Sequence, residues 1–420
     1  MRHHEINKFL NLQMIRLVAA VAVCKCTRYK QRLQNMGGTA LPGKRAQEIC
    51  PDFLELTSRN VSTVLVTGTN GKTTTTRMIS TMMDAAGIRH FSNRSGANMP
   101  IGIASEYGMN ASFLGRGRKK WAVMECDEGY AASVARAVNP KVIVITDILV
   151  DQLYRLKGID RTVDLLMECV HYSPDAVVCI KSENEGCRKL IGRLDDNNRS
   201  KVVQFSAKNY RVVISGQDPD TGIFEQEYQM NLDMPGAYNL YNAAAACAAA
   251  KTMNILSKNT IHAVEHMPLP FGRMEKIDIG GAPVTLTLVK NTSSCNAVLE
   301  MFDTPDSCYI FSATDFPRAG LVLFFGVNDG LTDDMDLTWL AGINWKIIKD
   351  TFETIYSFGT CAETVKSLIG EKCAVIDSDA VLNEIKKKKC PCHVFANYTC
   401  MMNIRHIFAD NGYVREFWKD

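Results

Sequence analysis

The sequence predicts an α/β protein of two successive domains, each built on a parallel sheet. Three observations lead there. Helix and strand patterns alternate from about residue 61 almost to the end of the chain. A glycine-rich loop, Thr67 to Thr75, lies between an apolar strand-like run and an amphipathic helix. After Pro268, Pro270 and Gly272 break the chain, the same alternation starts again. Residues 1–271 are therefore assigned to an N-terminal helical segment plus a central domain, and residues 272–420 to a smaller C-terminal α/β domain.

The elements follow in chain order. Ile6, Leu10, Met14, Leu17 and Val21 recur at helical spacing, with Lys25, Arg28, Lys30 and Arg32 behind them. That segment reads as a helix packed on the main domain, with contact to a membrane surface as the alternative. Its apolar run, Leu17 to Cys24, is eight residues long, far short of the ~20 that cross a bilayer. Val61 to Thr67 reads as a buried strand. Thr73 to Ala86 reads as a helix that puts Met78, Ile79, Met82, Met83 and Ala86 on one face and stops at Gly87. Strands are expected at Trp121 to Met124, Lys141 to Thr146, Ala176 to Ile180 and Val202 to Phe205, giving a sheet of at least five. Tyr210 to Leu232 changes to short alternating segments around Gly216 and Gly222, which suits antiparallel hairpins. Asn239 to Met253 carries seven alanines and is expected to be a close-packed helix. In the second domain a Gly280-Gly281 turn interrupts Met274 to Val289. Strands are expected at Leu321 to Val327, Thr354 to Phe358, Cys373 to Ile376 and His393 to Ala396.

Composition narrows the function classes. The 420 residues, 46% of them hydrophobic, supply cores for two or three domains. A net charge of +3, from 48 basic and 45 acidic residues, argues against wholesale nucleic-acid binding. The fifteen cysteines are scattered, and the chain opens without a secretory pattern, so a reducing cytoplasm is expected. Cys24-x-Cys26 and Cys390-x-Cys392 lack the C-x-x-C spacing of a zinc site, and no structural zinc is expected.

The chemistry concentrates in the T-G-T-N-G-K-T-T-T loop. Gly68 and Gly71 allow a tight turn that aims Thr69, Asn70 and Gly71 amides and a helix N-terminus at phosphate. Lys72 adds positive charge for the β- and γ-phosphates, and Thr73 or Thr74 offers a hydroxyl to Mg²⁺. The common phosphate-loop pattern places glycine where Val66 stands, so this is a variant. A P-loop ATPase domain binding ATP and Mg²⁺ is the expectation.

The variant resembles the ATP loop of the Mur ligases and folylpolyglutamate synthetases, which make amide bonds through acyl phosphates. Other segments add to the resemblance: Glu125 at a strand end, Thr146 with Asp151-Gln152-Leu153, Gly236-x-Tyr238-Asn239-x-x-Asn242, and Gly272-Arg273-x-Glu275. The resemblance implies that Glu125 holds Mg²⁺ with Thr73, that Asn239 and Asn242 meet the adenine, and that Arg273 contacts the nucleotide. Lys72, Glu125 and Asp336 are the implied catalytic residues. A UDP-sugar domain of the ordinary Mur ligases does not fit into the 60 residues before the first strand.

From about residue 37 to 410 the chain is similar to one branch, the MurT-type ligase subunit of lipid II isoglutaminyl synthases. The similar stretches include Leu41-Pro42-Gly43, Asn93 to Met99, Cys126-Asp127-Glu128, Val289-Lys290-Asn291, Asn328-Asp329 with Asp333 and Asp336, and Tyr398-Thr399 with Arg405. That branch implies activation of the D-Glu α-carboxylate of the lipid II stem peptide, amidation to D-isoglutamine, and a GatD-like glutaminase partner that supplies ammonia. Two features depart from it. The four-cysteine zinc ribbon of the branch is missing. The acid thought to complete the glutaminase's Cys–His pair falls on Gly342, in Asp336-Leu337-Thr338-Trp339-Leu340-Ala341-Gly342. Two further readings stay open: a relative joining an amino acid or another amine to a different carboxylate, and a nucleotide-binding partner protein without ligation.

Overall fold

The computed structural model describes residues 2–34, 40–93, 97–149, 158–208, 210–218, 222–268, 272–303, 320–330 and 337–414. Pro270, Arg94 to Gly96, Asp151 to Leu153, Asp333, Asp334 and Asp336 lie outside these residues, as do the side chains of Ile6 and Leu10. The chain forms two compact units, Met1–Leu232 with Asn239–Met267, and Asp233–Tyr238 with Pro268–Asp420.

The first unit is organised by an eight-stranded sheet of order β2-β3-β1-β4-β5-β6-β7-β8. Its strands are β1 (Ser62–Thr67), β2 (His90–Ser92), β3 (Trp121–Glu125), β4 (Val142–Ile145), β5 (Val177–Lys181), β6 (Val202–Lys208), β7 (Arg211–Asp218) and β8 (Gly222–Gln229). β2 to β6 run parallel to β1, and β7 and β8 close the edge as an antiparallel hairpin. Thr63 to Thr67 are all buried. A central parallel strand is covered on both faces, which is why the run S-T-V-L-V-T carries β-branched and apolar residues without alternation. β1 lies between β3, where Val66 pairs with Glu125, and β4, where Thr67 pairs with Ile145. The chain leaves β1 toward β2 and later returns to β4 on the other side. This reversal opens a crevice at the carboxyl end of β1.

Helix α4 (Lys72–Ala85) starts there, and buries Met78, Ile79, Met82 and Met83 as its spacing predicts. The three-residue β2 was not expected, because a segment that short carries no periodicity. The alanine-rich helix, Ala237–Thr252, is buried continuously from Leu240 to Ala250 except at Tyr241. Small side chains let neighbouring backbone approach on every side, so alanine here serves packing as well as propensity.

Helix α1 (Arg2–Leu33) contacts α2 (Leu41–Ile49) and α5 (Pro100–Asn110). Leu17, Ala20, Val21 and Cys24 enter the main core along one stripe, continued by Thr27 and Gln31. Among the described side chains, Leu17 is the first of this stripe to be buried. Met14, which the periodicity assigns to the same face, is half exposed. Among the described residues no helix is long and apolar enough to cross a membrane.

The second unit has a six-stranded sheet of order β13-β12-β11-β14-β10-β9. Its strands are β9 (Glu275–Ile279), β10 (Ala282–Leu288), β11 (Val322–Gly326), β12 (Thr354–Phe358), β13 (Cys373–Val375) and β14 (Cys392–Ala396). Only β9 is antiparallel. Gly280 and Gly281 both have positive φ, the backbone a two-residue hairpin loop of this twist requires. The predicted strands β11 to β14 differ from these by at most one residue at either end, and Thr354–Phe358 coincides.

Candidate functional site

The loop after β1 is built from the backbone outward. Gly68 has φ +121° and Gly71 φ +81°, conformations that L side chains rarely adopt. Space is equally restrictive: a Cβ at Gly71 would lie 2.1 Å from Asn242 Oδ1, and one at Gly68 2.5 Å from Thr146 Oγ1. β4 holds the loop from the other side. Asn70 N–H donates to Asp147 Oδ1 (2.8 Å), Thr69 N–H donates to the Asp147 carbonyl (3.1 Å), and Thr146 Oγ1 donates to the Asn70 carbonyl (2.6 Å). Burial pushes the Asp147 carboxyl up, while the Asn70 amide and the cations Lys181 and Lys72 oppose it.

Lys72 opens α4 and curls back under the loop. Its Nζ donates to the carbonyls of Gly68 (2.5 Å) and Thr69 (3.1 Å) and to Glu128 Oε2 (3.1 Å). The Lys72 and Glu128 side chains are only 8% and 4% exposed. Burial alone would lower the ammonium's pKa. Glu128, then Glu125 and Asp127, outweigh it and hold Lys72 above the ordinary lysine value. The lysine is thus a fixed buried cation at the start of a 14-residue helix whose first amides have no acceptor within the helix.

Glu125 ends β3 and is buried beside this cation. Asn93 clamps its backbone in both directions: Glu125 N–H donates to Asn93 Oδ1 (2.9 Å), and Asn93 Nδ2 donates to the Glu125 carbonyl (2.8 Å). Asn98 Nδ2 donates to Glu125 Oε1 at 3.4 Å. The Glu125 carboxylate and the Thr73 hydroxyl are both oxygen donors, the chemistry that a hard cation such as Mg²⁺ takes.

Across the loop, Asn242 Nδ2 donates to Asn239 Oδ1 (3.3 Å), and Thr75 Oγ1 donates to Asn242 Oδ1 (3.4 Å). Thr69, Thr74, Asn239 and Asn242 are buried, with Asn70, Gly71 and Thr73 partly open. The structure therefore gathers Thr69 to Thr74, Glu125 and Asn242 in the first unit. Arg273 stands in the second, on the turn before β9, where neighbouring Glu275 pairs with Arg405 at 3.1 Å. Asp336 lies outside the described residues. Among the described residues no cluster of three His, Cys, Asp or Glu side chains suits a metal ion. Sequence reading gave no role to Glu128, Asp147 or Asn93. The signals were that Asn93 opens one of the similar stretches and that Cys126-Asp127-Glu128 follows Glu125 as another.

Gly71→Ala is expected to lower stability by about 1–3 kcal/mol, because strain and the Asn242 contact add. Nucleotide affinity falls with it. Thermal denaturation and ADP titration of the two proteins check this.

The Mur ligase middle domain matches residues 66–250. The chain is 26% identical to the MurT subunit of lipid II isoglutaminyl synthase (glutamine-hydrolyzing) of Streptococcus pneumoniae, covering 90% of this chain and 94% of that one. It is 24% identical to the MurT subunit of Staphylococcus aureus strain COL, over 83% and 86%. A UDP-N-acetylmuramate–L-alanine ligase of Rhizorhabdus wittichii is 30% identical over 51% of this chain and 45% of its own. Among solved structures, MurF of Acinetobacter baumannii superimposes with a TM-score of 0.63 at 15% identity, covering 89% of this chain and 81% of that chain. Folylpolyglutamate synthase of Mycobacterium tuberculosis gives 0.62 at 15%, covering 87% and 96%.

Proposed function

We propose that this chain, which carries a Mur ligase middle domain and resembles MurT subunits along nine-tenths of its length, is an ATP-dependent carbon–nitrogen ligase of the isoglutaminyl-synthase type. Its acceptor is the D-Glu α-carboxylate of a lipid II stem peptide, and its product the carboxamide. One observation carries the reading: a buried Lys72 under a glycine loop, paired with Glu128 and held above the ordinary lysine pKa by Glu128, Glu125 and Asp127.

A carboxylate is a poor electrophile. Attack of its oxygen on the γ-phosphorus of ATP breaks the β–γ P–O bond, and ADP leaves with that electron pair. The lone pair of ammonia then attacks the acyl carbon, phosphate departs, and a proton is lost from nitrogen. Lys72 counters the charge that builds on the transferring oxygens. The first turn of α4 orients the phosphates, whereas the Thr69 and Asn70 amides, expected from the sequence to face phosphate, donate to Asp147 instead. Glu125 and Thr73 are the donors that would hold Mg²⁺, which when bound screens phosphate charge. Asn242, pressed against Gly71, fixes the loop on the side opposite β4.

The test supplies purified chain, ATP, Mg²⁺ and a stem-peptide acceptor with ammonium, and follows conversion of carboxyl to carboxamide by mass spectrometry. ATP-dependent carboxamide is the expected product. Product with an amino acid but none with ammonium would establish the other ligase reading, and no product with any amine would refute ligation.

A further inference from the structure

We propose that the first unit docks on an anionic membrane surface through the turn at Ser112 to Arg116 and the adjoining stretch of α1. The turn is held shut by its own backbone. Ser112 N–H donates to the Arg116 carbonyl (2.7 Å), Gly115 N–H donates to the Ser112 carbonyl (2.9 Å), and Arg116 N–H donates to Ser112 Oγ (3.2 Å). Behind it Ala111 bridges Gly117, and Arg118 N–H donates to the Asn110 carbonyl (3.0 Å). At the tip stand Phe113 and Leu114, 54% and 64% exposed. Gly115, with φ +78°, lies against Leu17, a buried residue of α1. On the helix side of that contact Met14 and Ile15 are 50% and 65% exposed. Two apolar tips thus flank one seam, and the closed turn prevents Phe113 and Leu114 from folding back into the core.

Charge identifies the occupant. Residues 109–120 carry Arg116, Arg118, Lys119 and Lys120 without one carboxylate, and residues 6–34 carry six further cations without one, in a chain whose overall balance is 48 to 45. Arg118 stands close enough to Lys25 to help burial lower that ammonium's pKa. Glu106 on α5 faces Arg28 and Arg32, and Lys119 donates to the His90 carbonyl (2.5 Å). Arg116, Arg118 and Lys120 remain exposed around the apolar tip. Aliphatic and aromatic side chains ringed by cations suit headgroups above acyl chains. A nucleic acid would call for a stacking platform of several aromatics, and this tip has one. The inference stands apart from the ligase reading, because its test uses no catalytic turnover.

The full chain is sedimented with vesicles of phosphatidylcholine alone and of phosphatidylcholine mixed with phosphatidylglycerol. Binding only to the mixed vesicles, weakened by salt, is expected. Phe113→Ser/Leu114→Ser should lower the partition at least ~10-fold, given the transfer energy of two large apolar side chains. Arg116→Gln/Arg118→Gln/Lys120→Gln should lower it by a similar ~10-fold or more, from three charges near the surface. Both variants keep the parent's melting temperature and ADP affinity. No vesicle binding, equal binding by the variants, preference for a single-stranded oligonucleotide, or a Phe113-dependent dimer in sedimentation velocity would each overturn the proposal.

Discussion

Lys72→Ala is expected to cut ATP-dependent product formation by at least ~100-fold, the scale of losing one fixed group that stabilises transition-state charge. The structure adds a second expectation that the motif alone does not give. Taken as a phosphate-loop lysine, Lys72 is replaceable without structural cost. Here it is buried and bound to Glu128, with Glu125 and Asp127 acting on it as well. Removing the cation leaves three carboxylates crowded in a buried place, and breaking such a pair from one side costs about 3–5 kcal/mol. The double variant Lys72→Ala/Glu128→Gln removes the unpaired charge, so much of the lost stability should return while activity stays absent. Chemical denaturation and product assays on parent, single and double variants separate the two roles. Parent-like activity in the single variant would exclude this loop as the site. Equal stability of single and double variants would refute the account of Glu128.

How much of this was legible follows from where the information lies. The β1–loop–α4 unit is local: a buried β-branched run, two glycines and a helix that repeats its apolar face within fourteen residues, and its ends fell within a residue of expectation. Most strands of both sheets were legible for the same reason. Glu125 was singled out by the resemblance, as the residue that ends a readable strand, and parallel pairing brings it beside Val66. Its clamp, Asn93, lies 32 residues away on a loop without periodicity. Asp147 acquires its role only because β4 pairs with β1 and delivers the next loop to Asn70. Glu128 needs the path of the chain after β3. Such contacts are products of sheet order, and spacing along one sequence does not encode it.

Nitrogen supply is the second large effect, and Gly342 decides it. The chain resembles MurT subunits that work with glutamine hydrolysis, and the acid implied to serve the partner's histidine is absent at this position. Orienting carboxylates of that type matter by about 10⁴ in rate. Glutamine-driven amidation with a GatD-like glutaminase is therefore expected to run at least ~100-fold below amidation with saturating ammonium. The obvious restoration is Gly342→Asp, and the surroundings show what it meets. Gly342 ends a short 3₁₀ helix, Thr338–Gly342, on the exposed surface, and its carbonyl accepts from Asn296 Nδ2 at 3.0 Å. A Cβ there would lie 2.8 Å from Thr292 Cγ2 and 3.0 Å from Thr292 Oγ1. That hydroxyl donates to the Trp339 carbonyl at 2.6 Å, so the threonine cannot simply rotate away. Thr292→Ser deletes the nearer atom and keeps the hydroxyl. Gly342→Asp/Thr292→Ser should accordingly recover glutamine-driven rate by about 10-fold where Gly342→Asp alone recovers less, with the ammonium rate unchanged in both, a partial return of what an orienting carboxylate supplies. Rates with the two nitrogen sources at matched ATP and acceptor give the comparison. Efficient glutamine use by the native chain would refute it and direct attention to Asp336 or a partner residue as the missing acid.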